Sequence, residues 1–94
     1  MPRTCDFTKH FLKDWKRLND SGRYDMVKLK DVMLLLIAND APLPPQFHDH
    51  ALAGEWRDHR ECHIGGDFLL IYTLDEADNL VVFTRAGTHS ELFR

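Results

Sequence analysis

Thiols are nearly absent from this chain: of 94 residues only Cys5 and Cys62 are cysteines, and no CxxC pair exists. That excludes a disulfide scaffold and a paired-thiolate zinc site, and two distant cysteines are expected to stay reduced, as in the cytoplasm. Long apolar runs are missing too. The longest, Val32 to Ala38, is far too short to cross a bilayer, so no membrane association is expected. No basic stretch followed by an apolar one opens the sequence, and no signal peptide is expected. There is no internal repeat, linker or low-complexity segment. Excess positive charge is also lacking: 12 Lys and Arg stand against 15 Asp and Glu, a net charge of -3. As a bulk property this argues mildly against a nucleic-acid binder.

What is present is an ordinary globular composition, 44% hydrophobic and 29% charged, sized for one domain over residues 1–94. A domain this small buries only ~60% of its unfolded surface, so a tight partner would add materially to its stability. The charge is uneven. Residues 1–30 carry eight Lys and Arg against four Asp, whereas the remainder carries four Arg against eleven acids. Screening limits charge effects to roughly 8 Å at physiological salt, so the basic segment acts locally: as an RNA-facing surface or as a solvated helix face.

Periodicity predicts a strand–helix–helix–three-strand order. Thr4 to Phe7 is a short first strand. Thr8 is a suitable N-cap for a helix from Lys9 to about Asn19, with Phe11, Leu12, Trp15 and Leu18 on one face and Lys9, Lys13, Lys16 and Arg17 on another. Ser21-Gly22 ends it. A second helix is expected from about Tyr24 to Asn39, with Met26, Leu29, Met33, Leu36 and Ile37 inward. Leu34 and Leu35 widen its apolar surface, so it is deeply buried or covered by a partner. The prolines from Ala41 to Pro45 stop the helix, and Gln46 to Glu55 reads as an exposed loop. Trp56 to Ile64, Phe68 to Leu74 and Leu80 to Arg85 read as an antiparallel meander, followed by a tail from Gly87 to Arg94. The runs Leu-Leu-Ile-Tyr and Leu-Val-Val-Phe are apolar on both faces and belong in central strands. The whole is an α+β domain, β-α-α-β-β-β, with both helices on a small, mainly antiparallel sheet.

Six histidines are many for so short a chain. His10 and His59 read as solvated, and His48 as part of the loop lining. His63 and Asp67 flank a tight turn, and the meander brings the end of the last strand, with Arg85 and His89, beside that turn. His50 must arrive through the course of its loop. The spacings His48-x-His50 and His59-x3-His63 are ligand-like, but a strand holds His59 and His63 well apart, so neither a metal nor another cofactor is expected.

The strings Leu52-Ala53-Gly54-Glu55-Trp56, Arg60-Glu61-Cys62-His63, Asp67-Phe68-Leu69-Leu70-Ile71-Tyr72 and Arg85-Ala86-Gly87-Thr88-His89-Ser90-Glu91-Leu92-Phe93 resemble the YafQ branch of the RelE/ParE toxin superfamily. The resemblance covers nearly the whole chain. It implies the toxin of a type II toxin–antitoxin pair, a ribosome-dependent endonuclease that cleaves translated mRNA. It implies a cognate antitoxin, the ribosomal A site with its 16S rRNA, and mRNA as partners, and a cytoplasmic location. His50, His63, Asp67 and His89 match the family's catalytic positions, and Arg85 and Phe93 match supporting ones, with Phe68 and Arg60 beside them. Phe68 departs from the pattern, where relatives carry Trp.

These residue types suit metal-free RNA cleavage. The 2′-OH must lose its proton, attack phosphorus, and see the departing 5′-oxygen protonated; histidine exchanges protons near neutrality. His89 is expected as general acid, His50 or Asp67 as general base, and His63 as an orienting or charge-stabilising group. Arg85 would neutralise phosphate charge and Phe93 would stack on a base. The alternatives are a ParE-like toxin that acts by binding protein, which would not need this acid–base set, and a zinc-binding histidine-rich domain.

Overall fold

The computed structural model describes residues 1–93. Strand β1 (Thr4–Phe7) leads into α1 (Lys9–Ser21) and α2 (Met26–Ala38), then β2 (His50–Ala51), β3 (Arg60–Gly65), β4 (Phe68–Asp75), β5 (Leu80–Thr88) and a one-turn helix α3 (His89–Leu92). The sheet runs β1-β5-β4-β3-β2. The β1–β5 pair is parallel and the other three pairs are antiparallel, so the expected α+β architecture is present.

Local chemistry sets the helix ends. Thr8 accepts from the Phe11 amide and Asp25 from the Lys28 amide, each satisfying an otherwise orphaned N–H. Gly22 and Asn39 close the two helices in the left-handed conformation. The two faces of β4 then organise the interior. Phe68, Leu70 and Tyr72 point into the main core with Phe11, Leu18, Leu29, Val32 and Phe83, while Leu69 and Ile71 point the other way, onto Leu92 with Leu52, Trp56 and Phe93 beside it. Burial on both faces explains the unbroken apolar run of this central strand. By contrast, Val27, Leu34 and Leu35 on α2 and Leu12 on α1 stay exposed. No helix among the described residues is long and apolar enough to cross a membrane.

Several expected boundaries shift. Trp56 lies in a 3-10 turn over Gly54–Trp56, not in a strand, and β3 starts only at Arg60, after Asp58 has taken a positive φ of 73°. The expected loop before it contains a second 3-10 turn, Pro45–Phe47, and strand β2, which pairs with β3. The last strand does not stop at Arg85. It runs to Thr88, and the expected tail begins with a helix. A Thr88–Glu91 capping box explains that turn: the Thr88 side chain accepts from the Glu91 amide, and the Glu91 carboxylate accepts from the Thr88 amide. Arg94 lies outside the described residues.

Candidate active site

Two groups of side chains lie on the side of the sheet opposite α1 and α2. The first is built on β2 and β3. His50 lies directly across from Glu61 in the ladder, and His63 follows Glu61 by two residues, so all three project from one face. The Glu61 carboxylate, only 3% exposed, sits 3.5 Å from Nε2 of both His50 and His63. His48 closes the group with its ring centroid 5.5 Å from that of His63. His50 Nδ1 lies 2.7 Å from the His48 carbonyl oxygen. A carbonyl can only accept, so Nδ1 carries the proton, and Nε2 is the nitrogen left for exchange. Strand pairing, rather than the course of a loop, delivers His50.

The second group sits on α3. The Asp67 carboxylate accepts from the His89 amide at 3.0 Å. The Phe93 ring lies 4.8 Å from His89 and 5.8 Å from Trp56. Glu55, Trp56, His59, Leu92 and Phe93 line an open groove of ≈ 510 Å³. His63, Leu69 and Gly87 occupy one row across three strands, and His89 follows Gly87 by two residues. That row sets the backbones of His63 and Gly87 two strand spacings apart, about 10 Å.

Three expected site residues lie elsewhere. Phe68 is 5% exposed and packs against Tyr24 in the main core at 5.0 Å. Its position on the helix-facing side of β4 removes it as a stacking platform. Arg85 gives Nε and a terminal nitrogen to Asp14 at 2.8 and 3.2 Å, so the phosphate-facing role expected for it has no geometric support. Arg60 is paired with Asp49 at 3.1 Å. Asp49 also accepts from the buried Tyr72 hydroxyl, which ties the segment between His48 and His50 to the core. Burial, with Asp49 nearby, pushes the Tyr72 hydroxyl far above its ordinary value. It is a fixed donor, not an acid.

Sequence reasoning missed Glu61, Asp14 and Arg17. Glu61 was legible in principle, as an acid two positions before a site histidine on the same strand face. Asp14 is 1% exposed. Burial pushes its carboxyl up, but hydrogen bonds from Arg85, Arg17 and the Ala86 amide outweigh that and hold it below the usual value. Among the described residues, no three His, Cys, Asp or Glu side chains are placed to hold a metal ion together.

Comparison with known proteins agrees with this fold. The chain is 43% identical over 91 residues, 97% of its length and 96% of the relative's, to the mRNA interferase toxin YafQ of Escherichia coli K12. It superimposes on the toxin of an E. coli DinJ–YafQ complex with a TM-score of 0.86 at 41% identity, covering 98% of this chain and 99% of that one. A metal-bound toxin from Helicobacter pylori gives a TM-score of 0.86 at 41% identity, over 99% of this chain and 100% of the other. The family model described as the bacterial toxin of type II toxin–antitoxin system, YafQ, matches residues 3–94. The chain belongs to the YafQ family of type II toxin–antitoxin toxins.

Proposed function

We propose that this toxin is a ribosome-dependent mRNA endonuclease that cleaves by metal-free acid–base chemistry, within the cytoplasm. The observation that carries it is the gathering of His50 and His63 around the Glu61 carboxylate, with His89 held at the head of α3 by Asp67. A phosphodiester between them has a base for the 2′-OH and an acid for the 5′-oxygen. His50, whose Nε2 faces the Glu61 carboxylate, is the general base, and Glu61 offers the opposite charge when either His50 or His63 carries a proton. His89 is the general acid. Its orientation comes from Asp67, whose carboxylate accepts the amide at the head of α3 and also favours that helix end through its charge. Phe93, lining the groove it shares with Trp56, stacks on a neighbouring base, an interaction worth ~1–3 kcal/mol.

Ribosome and message are the nucleic-acid partners, and the basic face of α1 supplies local attraction that the net charge of -3 hides. The protein partner is an antitoxin, as the relative crystallised with DinJ has one; the exposed Val27, Leu34 and Leu35 give such a partner apolar surface to cover.

Primer extension on translated message, with and without the protein, tests the proposal. Cleavage in frame with codons is expected, leaving a 2′,3′-cyclic or 3′-phosphate and a 5′-hydroxyl, with the rate unchanged when chelator is added to the toxin. Given the metal-bound relative, loss of cleavage on chelation, or 5′-phosphate ends, would sink the metal-free mechanism.

A further inference from the structure

Helix α3 has four residues, a single turn that cannot hold its own shape in water. Yet it carries His89, and a general acid must be held within a fraction of an ångström to act. Something outside the helix must therefore fix it. Asp67 restrains its first amide. Leu92 anchors it on Leu69 and Ile71. A further restraint comes from α1, a helix with no residue in either group of the site.

The connection is continuous in the structure. β1 pairs with β5 only as far as Phe83. Beyond that point no strand among the described residues pairs with this edge of β5; the Thr84 carbonyl accepts from the Thr8 hydroxyl, and the Ala86 amide donates to Asp14 at 3.1 Å. Asp14 also holds Arg17 at 2.7 Å. Arg17 in turn reaches the Ala86 carbonyl at 3.4 Å and the Glu91 carboxylate at 3.2 Å. Glu91 is the capping-box residue of α3, bonded to the Thr88 amide at 2.8 Å. The Arg17–Glu91 pair closes over Gly87: a Cβ there would stand 2.8 Å from Glu91 Oε1 and 3.1 Å from an Arg17 nitrogen. Glycine is what lets the pair close.

We propose that Arg17 is a positioning residue for catalysis, a strut from the buried Asp14 to Glu91 that sets the angle of α3 and hence of the His89 imidazole. The inference rests on His89 being the general acid. It separates Arg17 from its lysine neighbours on α1, which can only attract RNA through charge. Removing a strut should slow the chemical step and leave binding alone, whereas removing a phosphate-binding cation should weaken binding and flatten its salt dependence.

The test is single-turnover cleavage on programmed ribosomes by the full chain, with Arg17→Ala and Glu91→Gln each made in native and His89→Ala backgrounds. Glutamine at position 91 can keep the capping box while discarding the ion pair, so it serves where Arg17→Ala folds poorly. Arg17→Ala should lower the saturated rate roughly 10–100-fold, the scale of a misplacement near 1 Å, with unchanged half-saturation, and Glu91→Gln should move the rate the same way. Neither should slow the His89→Ala protein further, because both act through that side chain. A rate reduction that multiplies with that of His89→Ala, or an effect on half-saturation and its salt dependence, would overturn the strut. A native rate in His89→Ala alone would instead overturn the general-acid assignment on which it rests.

Discussion

Asp14 ties α1, β5 and, through Arg17, α3 together, and its removal should be the most damaging single change in this chain away from the apolar core. The carboxylate is 1% exposed and accepts from Arg85, Arg17 and the Ala86 amide. Asp14→Ala leaves the Arg85 guanidinium and the Ala86 amide without the partner they have here, and leaves Arg17 only Glu91 and the Ala86 carbonyl. Breaking a buried ion pair by removing one side costs about 3–5 kcal/mol, a large share of the ~5–14 kcal/mol expected for a domain of this length. At ~4–8 °C per kcal/mol for such domains, the melting temperature should fall by at least about 12 °C, read by circular dichroism with the antitoxin absent. The pH dependence has a defined sign. The folded-state carboxyl is held below its ordinary value of 3.8, so its contribution is complete above the unfolded value and disappears as pH falls through the folded one. In urea titrations the stability gap between the native protein and Asp14→Asn should be constant above about pH 5 and shrink below about pH 4. A gap that stays constant down to about pH 2, or a melting shift under about 4 °C, corresponding to less than about 1 kcal/mol, would refute the buried-anchor account.

Two further outcomes follow from the same structure. Glu61→Gln removes the charge between His50 and His63 while keeping its shape; the saturated cleavage rate should fall by about 10²-fold or more, the low end for losing a positioned acid–base partner, whereas His10→Ala on the exposed side of α1 should cleave at the native rate. Burial, reinforced by Asp49 and Glu61, pushes the Cys62 thiol up to about 12, so a thiol reagent at about pH 8 should label Cys5 in the folded protein and reach Cys62 only after unfolding, as seen by peptide mapping.

The fold was largely legible because its signals are local. Thr8 and the Lys9–Leu18 spacing define α1, Gly22 its end, and the apolar runs of β4 and β5 their central places. The site was legible in part, and only by analogy. His50 comes beside His63, and Asp67 meets the His89 amide, but composition and spacing could not say that β2 pairs with β3 or that Thr88 and Glu91 would cap a helix. Both depend on partners that become visible only once the chain has folded. Phe68 and Arg85 illustrate the opposite limit. Their residue types suit stacking and phosphate binding, yet strand parity turns Phe68 into the core, and a bulge in the β4–β5 register between Ile71 and Tyr72 accompanies the turn of Arg85 toward Asp14. A buried acid such as Asp14 leaves no sequence signal on an amphipathic helix, where it passes for one more polar residue.

The central claim is that His89 delivers the proton to the departing 5′-oxygen. It is tested most directly by single-turnover cleavage of mRNA on programmed ribosomes with His89→Ala. The imidazole is exposed on a one-turn helix, so stability should change by only ~0.5 kcal/mol, and binding to ribosome and antitoxin should persist. The cleavage rate at saturation should fall by ~10²–10⁴-fold; cleavage at the native rate by a folded, ribosome-bound His89→Ala protein would contradict the account.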